Sequence, residues 1–205
     1  FTEVIEDNAL LKFKDKQVSA TIKGVNENFK ELTQINSILY DGKFELFDGA
    51  FERSVPGIGL AAKLGLGAHF IDPIYIYVPK REGKINILRP ETSFNETVCF
   101  VSGIFKTQQA GYDDTYMLIS INHARELLNL DSTQVSAIEL KINPSINLDS
   151  IQNKISQKIG NNYVIKNRIE QQESFFNIMK MEKWITFLIL SFILLIASFN
   201  KFSIF

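Results

Sequence analysis

The chain has 205 residues, of which 45% are hydrophobic and 22% charged, enough apolar material for a folded core, which excludes a disordered chain. Its formal net charge of −1, from 22 Lys and Arg against 23 Asp and Glu, lacks the basic excess of nucleic-acid-binding proteins, so we expect no nucleic-acid partner. A single cysteine, Cys99, excludes a disulfide framework within the chain and a zinc site built from cysteines.

The hydrophobic patterns predict strands and helices in mixed order. Residues 9–25 have the pattern of a β-hairpin, and Asn26 or Asn28 can cap the short helix that follows. Further helices are predicted before a C-terminal glycine at Gly65 or Gly67, from Asn122 as N-cap, and over residues 147–159. The other predicted strands cover residues 43–47, 71–78, 95–105, 116–120, 135–142 and 163–165. The predicted fold class is therefore α+β, with helices laid on mixed sheets.

The last stretch has the composition of a membrane helix. A long helix is predicted from Ser174, and from Trp184 to Phe199 it carries no charge and is apolar on all sides, whereas a buried amphipathic helix of a soluble protein would show a stripe. Before Lys201 interrupts it, the uncharged run covers roughly 25 Å of a hydrocarbon core of roughly 30 Å. We therefore expect a shortened span and a chain that is a piece of a longer membrane protein.

The segment PKREGKINILRP, residues 79–90, is bounded by Pro79 and Pro90 and has no core face. It has two interpretations: a charged hairpin tip, or a presented binding element in which Ile87 and Leu88 contact a partner. The residues themselves leave both open.

The sequence offers little that could perform catalysis. Gly57 to Ala62 match the dinucleotide fingerprint in letters, but Pro56 precedes them where a buried strand is needed. The neighbouring carboxylates Asp113 and Asp114 are more typical of a turn than of a cation site, and the two histidines, His69 and His123, are far apart in sequence. We therefore expect a protein that is not an enzyme, with no cofactor or metal bound by this chain.

Three stretches together resemble the MacB/FtsX-like permeases of ABC transporters, and specifically the lipoprotein-releasing, Lol-type subunits. They are PGIGLAAKLGLGAHFIDPIYIYVP, VSGIFKTQQAGYDDTYMLISINHARELLN and FFNIMKMEKWITFLILSFILLIASFN. The first is similar to the family's LGL segment followed by a strand, the second to its V-x-G-x-F segment with an acidic Tyr-Asp turn, and the third to its stalk leading into the second membrane helix. Their order and spacing extend the resemblance over residues 8–200.

The resemblance implies a periplasmic domain with two lobes, called Porter and Sabre, between two membrane spans. It places a partial Porter lobe at residues 1–47, a Sabre-like lobe at 48–110, the remainder of the periplasmic domain at 111–173, and the stalk with a truncated span at 174–205. The chain would lie in the bacterial inner membrane, with most of it on the periplasmic face. The family's first span and a further β-α unit have no counterpart before residue 9.

The resemblance also implies partners: a cytoplasmic ATPase subunit that binds ATP, a second permease subunit, lipoprotein cargo and a periplasmic carrier chaperone. Residues 79–90 occupy the position of the hook that recruits the carrier, so the expected contact residues are Pro79, Arg81, Ile87, Leu88 and Pro90. The expected coupling point between stalk and span consists of Met179, Glu182 and Lys183. The alternative within the family is a mechanotransmitting permease that acts on a cell-wall hydrolase or exports a peptide, drug or toxin.

Overall fold

The chain begins with a long antiparallel hairpin. In the computed structural model, which describes residues 1–68, 71–81, 93–143, 147–160, 163–171, 181 and 183–193, β1 spans Thr2–Phe13 and β2 spans Lys16–Val25. Their register runs from Phe13 opposite Lys16 to Val4 opposite Val25. The predicted hairpin is confirmed and starts seven residues earlier than residue 9, at Thr2.

The hairpin belongs to a sheet of seven strands, whose other members are β4 (Arg53–Pro56), β5 (Ile74–Pro79), β6 (Phe94–Val101), β8 (Tyr116–Ser120) and β9 (Ala137–Glu139). Their order in the sheet is β2-β8-β4-β6-β5-β1-β9. Because β1 also pairs with β2, six of the seven strands close into a ring, which we call the strand ring. β5 and β9 share the second edge of β1, opposite residues 10–12 and 2–4 respectively.

Helices and a small second sheet complete the residues described. β3 (Leu39–Gly42) pairs with β7 (Gly103–Phe105). The helices up to residue 171 are α1 (Phe29–Thr33), α2 (Ile58–Leu64), α3 (Ala110–Asp113), α4 (Ile121–Leu128), α5 (Leu148–Ile159) and α6 (Arg168–Gln171), and residues 181 and 183–193 are also helical. A 3-10 turn at Ile35–Ser37 follows α1. The predicted α+β class, a mixture of helices and sheets, is confirmed. The strand ring takes strands from each of the segments 1–47, 48–110 and 111–173, whose boundaries as lobes stay predictions.

Two apolar clusters lie on opposite faces of the strands. In β8 the alternation of a strand sends Met117 and Ile119 into the first cluster and Leu118 into the second. The first cluster also takes the buried faces of α2 and α4, and the second is covered by α1 and by half-buried residues of the segment 38–46. α1, α2 and α4 are therefore held against the strands by burial of apolar side chains.

The chain forms two compact units, residues 1–141 and 142–205. In the second, α5 ends before Gly160, whose φ of +77° is the left-handed conformation that glycine adopts readily, as the sequence predicts. α6 begins with a capping box: Asn167 Oδ1 accepts from the Glu170 amide at 2.9 Å, and Glu170 Oε2 accepts from the Asn167 amide at 2.8 Å.

Two predicted strands are wrong. Residues 43–47 alternate between polar and apolar side chains because Phe44 and Leu46 pack on the second cluster. The strand that pairs with β7 lies just before them. Residues 163–165 form no strand, although they lie within the described part of the second unit. At residues 43–47 the apolar pattern reflects local burial without a ladder partner, whereas Tyr163 and Val164 are 68% and 83% exposed and have neither burial nor a ladder partner among the described residues.

The predicted strand over residues 95–105 is divided into β6 and β7. Ser102 separates the two, and its hydroxyl donates to the carbonyl oxygens of Glu45 at 2.6 Å and Ser54 at 3.2 Å. The chain changes sheets at this residue, so one continuous apolar pattern serves two ladders.

Candidate functional site

The predicted partner-binding loop starts at the end of the β5–β6 ladder. Pro79, the exposed last residue of β5, lies opposite Phe94, and the amide of Lys80 donates to the carbonyl oxygen of Ser93 at 2.8 Å. The two strands thus remain paired up to the loop's base. Ile87, Leu88 and Pro90 lie outside the described residues, so their contact roles stay predictions.

Arg81 is engaged within the chain. Its Nη2 donates to Asp7 Oδ2 at 2.6 Å, and Asp7 Oδ1 accepts from the Asn8 amide at 2.8 Å. The guanidinium side chain is 53% exposed, and exposed ion pairs contribute at most about 1 kcal/mol to stability. The ion pair therefore mainly positions the loop, because it ties the loop's start to β1.

An exposed apolar strip leads away from the base of this loop along the outer face of the strand ring. We call it the outer strip; its members are 36–41% exposed and are Leu10, Tyr75, Phe94 and Val98. Tyr75 lies directly opposite Val98, so both point to the same face. Sequence reasoning missed this surface. Residues 94–101 nevertheless carry a signal for it, because apolar side chains occur at both odd and even positions near Val98. A strand with one solvated face would carry them at alternate positions only.

A rigid turn presents two more exposed aromatic rings. Phe47 and Phe51 are 56% and 54% exposed and flank Asp48, whose Oδ1 accepts from the amides of Phe51 at 2.8 Å and Ala50 at 3.0 Å. Arg53 Nε donates to the other carboxylate oxygen at 2.7 Å. The backbone hydrogen bonds, from Phe51 and then Ala50, together with the Arg53 guanidinium lower the pKa of Asp48 to about 2. The turn therefore keeps its shape and charge across physiological pH.

The glycine motif at the start of α2 packs against the chain itself. A Cβ on Gly57 would lie 2.8 Å from the carbonyl carbon of Asp113, and a Cβ on Gly59 would overlap the Asp114 side chain. Asp114 in turn forms an ion pair with Lys63 at 3.2 Å. The space that a pyrophosphate would need at this helix start is filled by protein, which explains the glycines without a nucleotide.

Asp113 is a buried loop anchor. Its Oδ1 accepts from the amide of Thr107 at 2.7 Å and from the Thr107 hydroxyl at 2.8 Å, and its Oδ2 accepts from the Gln108 amide at 3.1 Å. The predicted preference for a turn over a cation site agrees with these bonds. Within the described ranges, no group of three or more His, Cys, Asp and Glu side chains could hold a metal ion.

A buried polar cluster joins α4 to the strand ring. His123 is 5% exposed, with Nε2 3.4 Å from Thr97 Oγ1 and Nδ1 3.9 Å from Glu52 Oε2. Burial lowers the pKa of His123, with Glu126 opposing, whereas burial and the charge of Glu126 raise the pKa of Glu52. The order hydroxyl, imidazole, carboxylate resembles a relay of nucleophilic enzymes, but both distances exceed those of working hydrogen bonds.

Cys99 lies in the same region of β6 and is fully buried. Burial raises the pKa of its thiol to about 12, although a hydrogen bond with Ser54 opposes the shift. The reactive thiolate is therefore absent at neutral pH, and Cys99 acts as a core residue.

The predicted coupling point is described at one of its three positions. Lys183 is exposed in a helix that comprises residue 181 and residues 183–193 of the described chain, while Met179 and Glu182 lie outside the description. The helix exposes large apolar side chains, including Trp184 at 72% and Phe187 at 68%. Within the described residues, no helix has both the length and the apolar character to cross a bilayer.

Comparison with known proteins gives similar solved structures, among them two domains of transporter-related proteins. No protein-family model matches the chain, and no curated protein matches it. The extracellular domain of the noncanonic ABC-type transporter YknZ from Gram-positive bacteria is 12% identical with a TM-score of 0.42; the match covers 61% of this chain and 56% of that one. A domain assigned to a permease protein of Porphyromonas gingivalis is 14% identical with a TM-score of 0.41, covering 78% and 64%. In both cases this chain spans less than two thirds of the structure it matches.

Proposed function

We propose that this chain is the extracytoplasmic part of an ABC transporter permease, followed by the start of a membrane helix. The observation that carries this proposal is the pairing of Thr2 with Glu139, which brings the two ends of the first unit side by side. A domain inserted between two membrane helices must return its chain to the membrane close to where it left. Adjacent ends meet that requirement.

The finer proposal is that the permease releases lipoproteins to a soluble carrier. The paired strands β5 and β6 carry the loop of residues 79–90 at their end, and Arg81 ties the loop's first residues to Asp7 of β1. A loop on such a base can hold Ile87 and Leu88 towards a partner. The outer strip adds apolar surface beside the same base, of the kind that marks protein interaction sites.

The chain's role in this proposal is mechanical. A partner ATPase in the cytoplasm binds and hydrolyses ATP, a second permease subunit completes the membrane part, and the stalk around Met179, Glu182 and Lys183 passes the movement to the extracytoplasmic domain. The uncharged run from Trp184 to Phe199 supports a membrane position for the helix that follows. No catalytic step is assigned to this chain.

Site-specific photocrosslinking tests the proposal. A photoreactive residue at Ile87 or Leu88, in the full permease with its ATPase, should capture a soluble lipoprotein carrier. The matched control is Asp15, an exposed residue of the β1–β2 turn, which should capture no carrier. A functional complex that gives no carrier adduct at either loop position would reject lipoprotein release.

The alternative, a mechanotransmitting permease that controls a cell-wall hydrolase or exports a peptide, drug or toxin, predicts a different phenotype. Depletion of the permease should then leave lipoproteins correctly sorted while hydrolase activity or export falls. Retention of lipoproteins in the inner membrane after depletion would instead support the release function.

A further inference from the structure

β9 is a short edge strand with little burial of its own. It pairs with β1 over three residues, Thr2 to Val4 opposite Glu139 to Ala137, and Ile138 at its centre is 58% exposed. By contrast, β2 pairs with the other edge of β1 over ten residue pairs. Apolar burial therefore holds β9 far less firmly than it holds the strand ring.

Polar side-chain contacts with neighbouring strands also hold β9 in place. Just before it, Ser136 Oγ accepts from the Glu6 amide at 3.0 Å and donates to the Glu6 carbonyl oxygen at 3.3 Å. At its far end, Glu139 forms an ion pair with Lys23 of β2, which also binds Glu6 Oε1 at 2.9 Å. The Lys23 side chain thus crosses β1 and joins three adjacent strands.

Lys23 can separate from Glu139 without becoming an unpaired buried charge. It is 11% exposed, so an unpaired ammonium there would be costly, but Glu6 would still neutralise it. Glu139 is 35% exposed and can be solvated when it separates. Burial lowers the pKa of Lys23, yet Glu6 and Glu139 outweigh burial and raise it above its ordinary value, so the contact is charged at neutral pH.

The position of this contact along the chain matters. β9 is the last strand before the first unit ends at Lys141, so any pull from the following chain reaches the Thr2–Glu139 pair first. From there the three β1–β9 residue pairs can open one after another. Glu139, which forms the ion pair with Lys23, belongs to the first residue pair to open.

We propose that β9 is a releasable strap, which detaches from β1 while the strand ring stays closed, and that the Lys23–Glu139 ion pair is its latch. This inference concerns the first unit itself and does not depend on the function proposed above. It assigns Lys23, Glu139 and Ser136 to a conformational device in place of a purely structural role.

Amide hydrogen exchange on the full chain tests the strap. In the wild type, residues 136–140 should exchange faster than β8, because the strap opens without the ring. Glu139→Gln removes the charge at nearly constant side-chain size and should raise exchange in residues 136–140 by at least about tenfold, the scale of a charge-assisted hydrogen bond, with β8 unchanged. The matched control Asp114→Asn breaks the exposed Lys63–Asp114 pair and should leave residues 136–140 unchanged.

A cross-strand disulfide supplies the opposite manipulation. Glu3 and Ile138 lie directly opposite each other, so Glu3→Cys with Ile138→Cys should form a bridge, while buried Cys99, with a pKa of about 12, stays out of the reaction. Oxidation should slow exchange in residues 136–140 relative to the reduced form. Equal exchange of β9 and β8 in the wild type would overturn the strap, and an unchanged rate in Glu139→Gln would overturn the latch.

Discussion

At the scale of single residues, Gly57 and Gly59 look alike in sequence but meet different surroundings. A side chain on Gly57 would press on the Asp113 backbone, which has no room to yield, whereas one on Gly59 would meet the movable end of the half-exposed Asp114 side chain. Gly57→Ala should therefore lower the free energy of unfolding by about 2 kcal/mol. Gly59→Ala should change it by less than about 1 kcal/mol, because better helix propensity offsets the displaced carboxylate.

Urea unfolding followed by circular dichroism measures both glycine variants. A loss at Gly59→Ala as large as that at Gly57→Ala would mean that the space beside Asp114 is more tightly packed than the structure has it.

His123 gives stability a defined pH dependence. Because burial lowers its pKa in the folded chain, the unfolded chain binds more protons as the pH falls through the ordinary histidine value of 6.5. His123 therefore makes the folded state less stable as pH falls from 7 towards 5. His123→Gln should remove that part of the slope in pH-dependent urea unfolding, and an unchanged slope in this window would contradict the buried neutral imidazole.

Glu52 changes the stability of the folded state with pH in the opposite direction to His123, and does so at lower pH. Its raised pKa means that the folded chain holds a proton more tightly than the unfolded chain just above the ordinary value of 4.5, so the burial cost appears as the pH rises through that region. Glu52→Gln in the same titration should raise stability at pH 7 relative to pH 4. This separates its contribution from that of His123.

At the scale of elements, the start of α4 depends on the residue that holds the N-cap position. Ser120 occupies it, and its Oγ accepts from the His123 amide at 3.1 Å, so the predicted Asn122 cap is wrong by two residues. Ser120→Ala should lower the free energy of unfolding by about 1 kcal/mol. Asn122→Ala, at an exposed position in the first turn, should be neutral or slightly stabilising.

Thermal unfolding of both variants distinguishes the two cap positions. Destabilisation by Asn122→Ala with no effect of Ser120→Ala would restore the cap that the sequence predicts.

At the scale of the whole molecule, the strand ring decides which fragments can fold. Its strands extend from Thr2 to Ser120, and β9 adds the edge at Ala137–Glu139. A fragment of residues 1–141 should therefore give a cooperative unfolding transition and dispersed amide resonances. A fragment of residues 48–110 should not, because β4 would lose its partner β8, β5 would lose its partner β1, and β2, which joins β8 to β1, would be missing. Cooperative folding of residues 48–110 would instead support the predicted lobe boundary.

Much of the local structure could be predicted because its signals are local. Gly65, with φ of +75°, ends α2 as the glycine predicts, and the apolar spacing of residues 147–159 predicts α5 to within one residue. The irregular segment 43–47 and the cap at Ser120 could not be predicted. The burial of Phe44 depends on neighbours far along the chain, and the cap depends on the residue at which β8 ends.

The candidate site likewise combines features that the sequence shows with contacts that only the fold creates. The prolines that bound residues 79–90 are visible in the sequence, while the tie from Arg81 to Asp7 is not, because 74 residues separate the partners. The outer strip likewise depends on which strands are neighbours, since Tyr75 meets Val98 through the β5–β6 register.

The sequence by itself determined the α+β class, the opening hairpin, the glycine ends of α2 and α5 and the lipid-like composition of the last stretch, because each depends on residues within a few positions of one another. Only the tertiary structure decided that β1 also pairs with β5 and that β2 pairs with β8, which closes the ring, and that β9 adds to the edge of β1. It also decided that Lys23 fastens the final strand of the first unit and that both ends of that unit meet at Thr2 and Glu139. The pairs Lys23–Glu139 and Thr2–Glu139 join residues more than a hundred positions apart, and local patterns carry no information on such pairings.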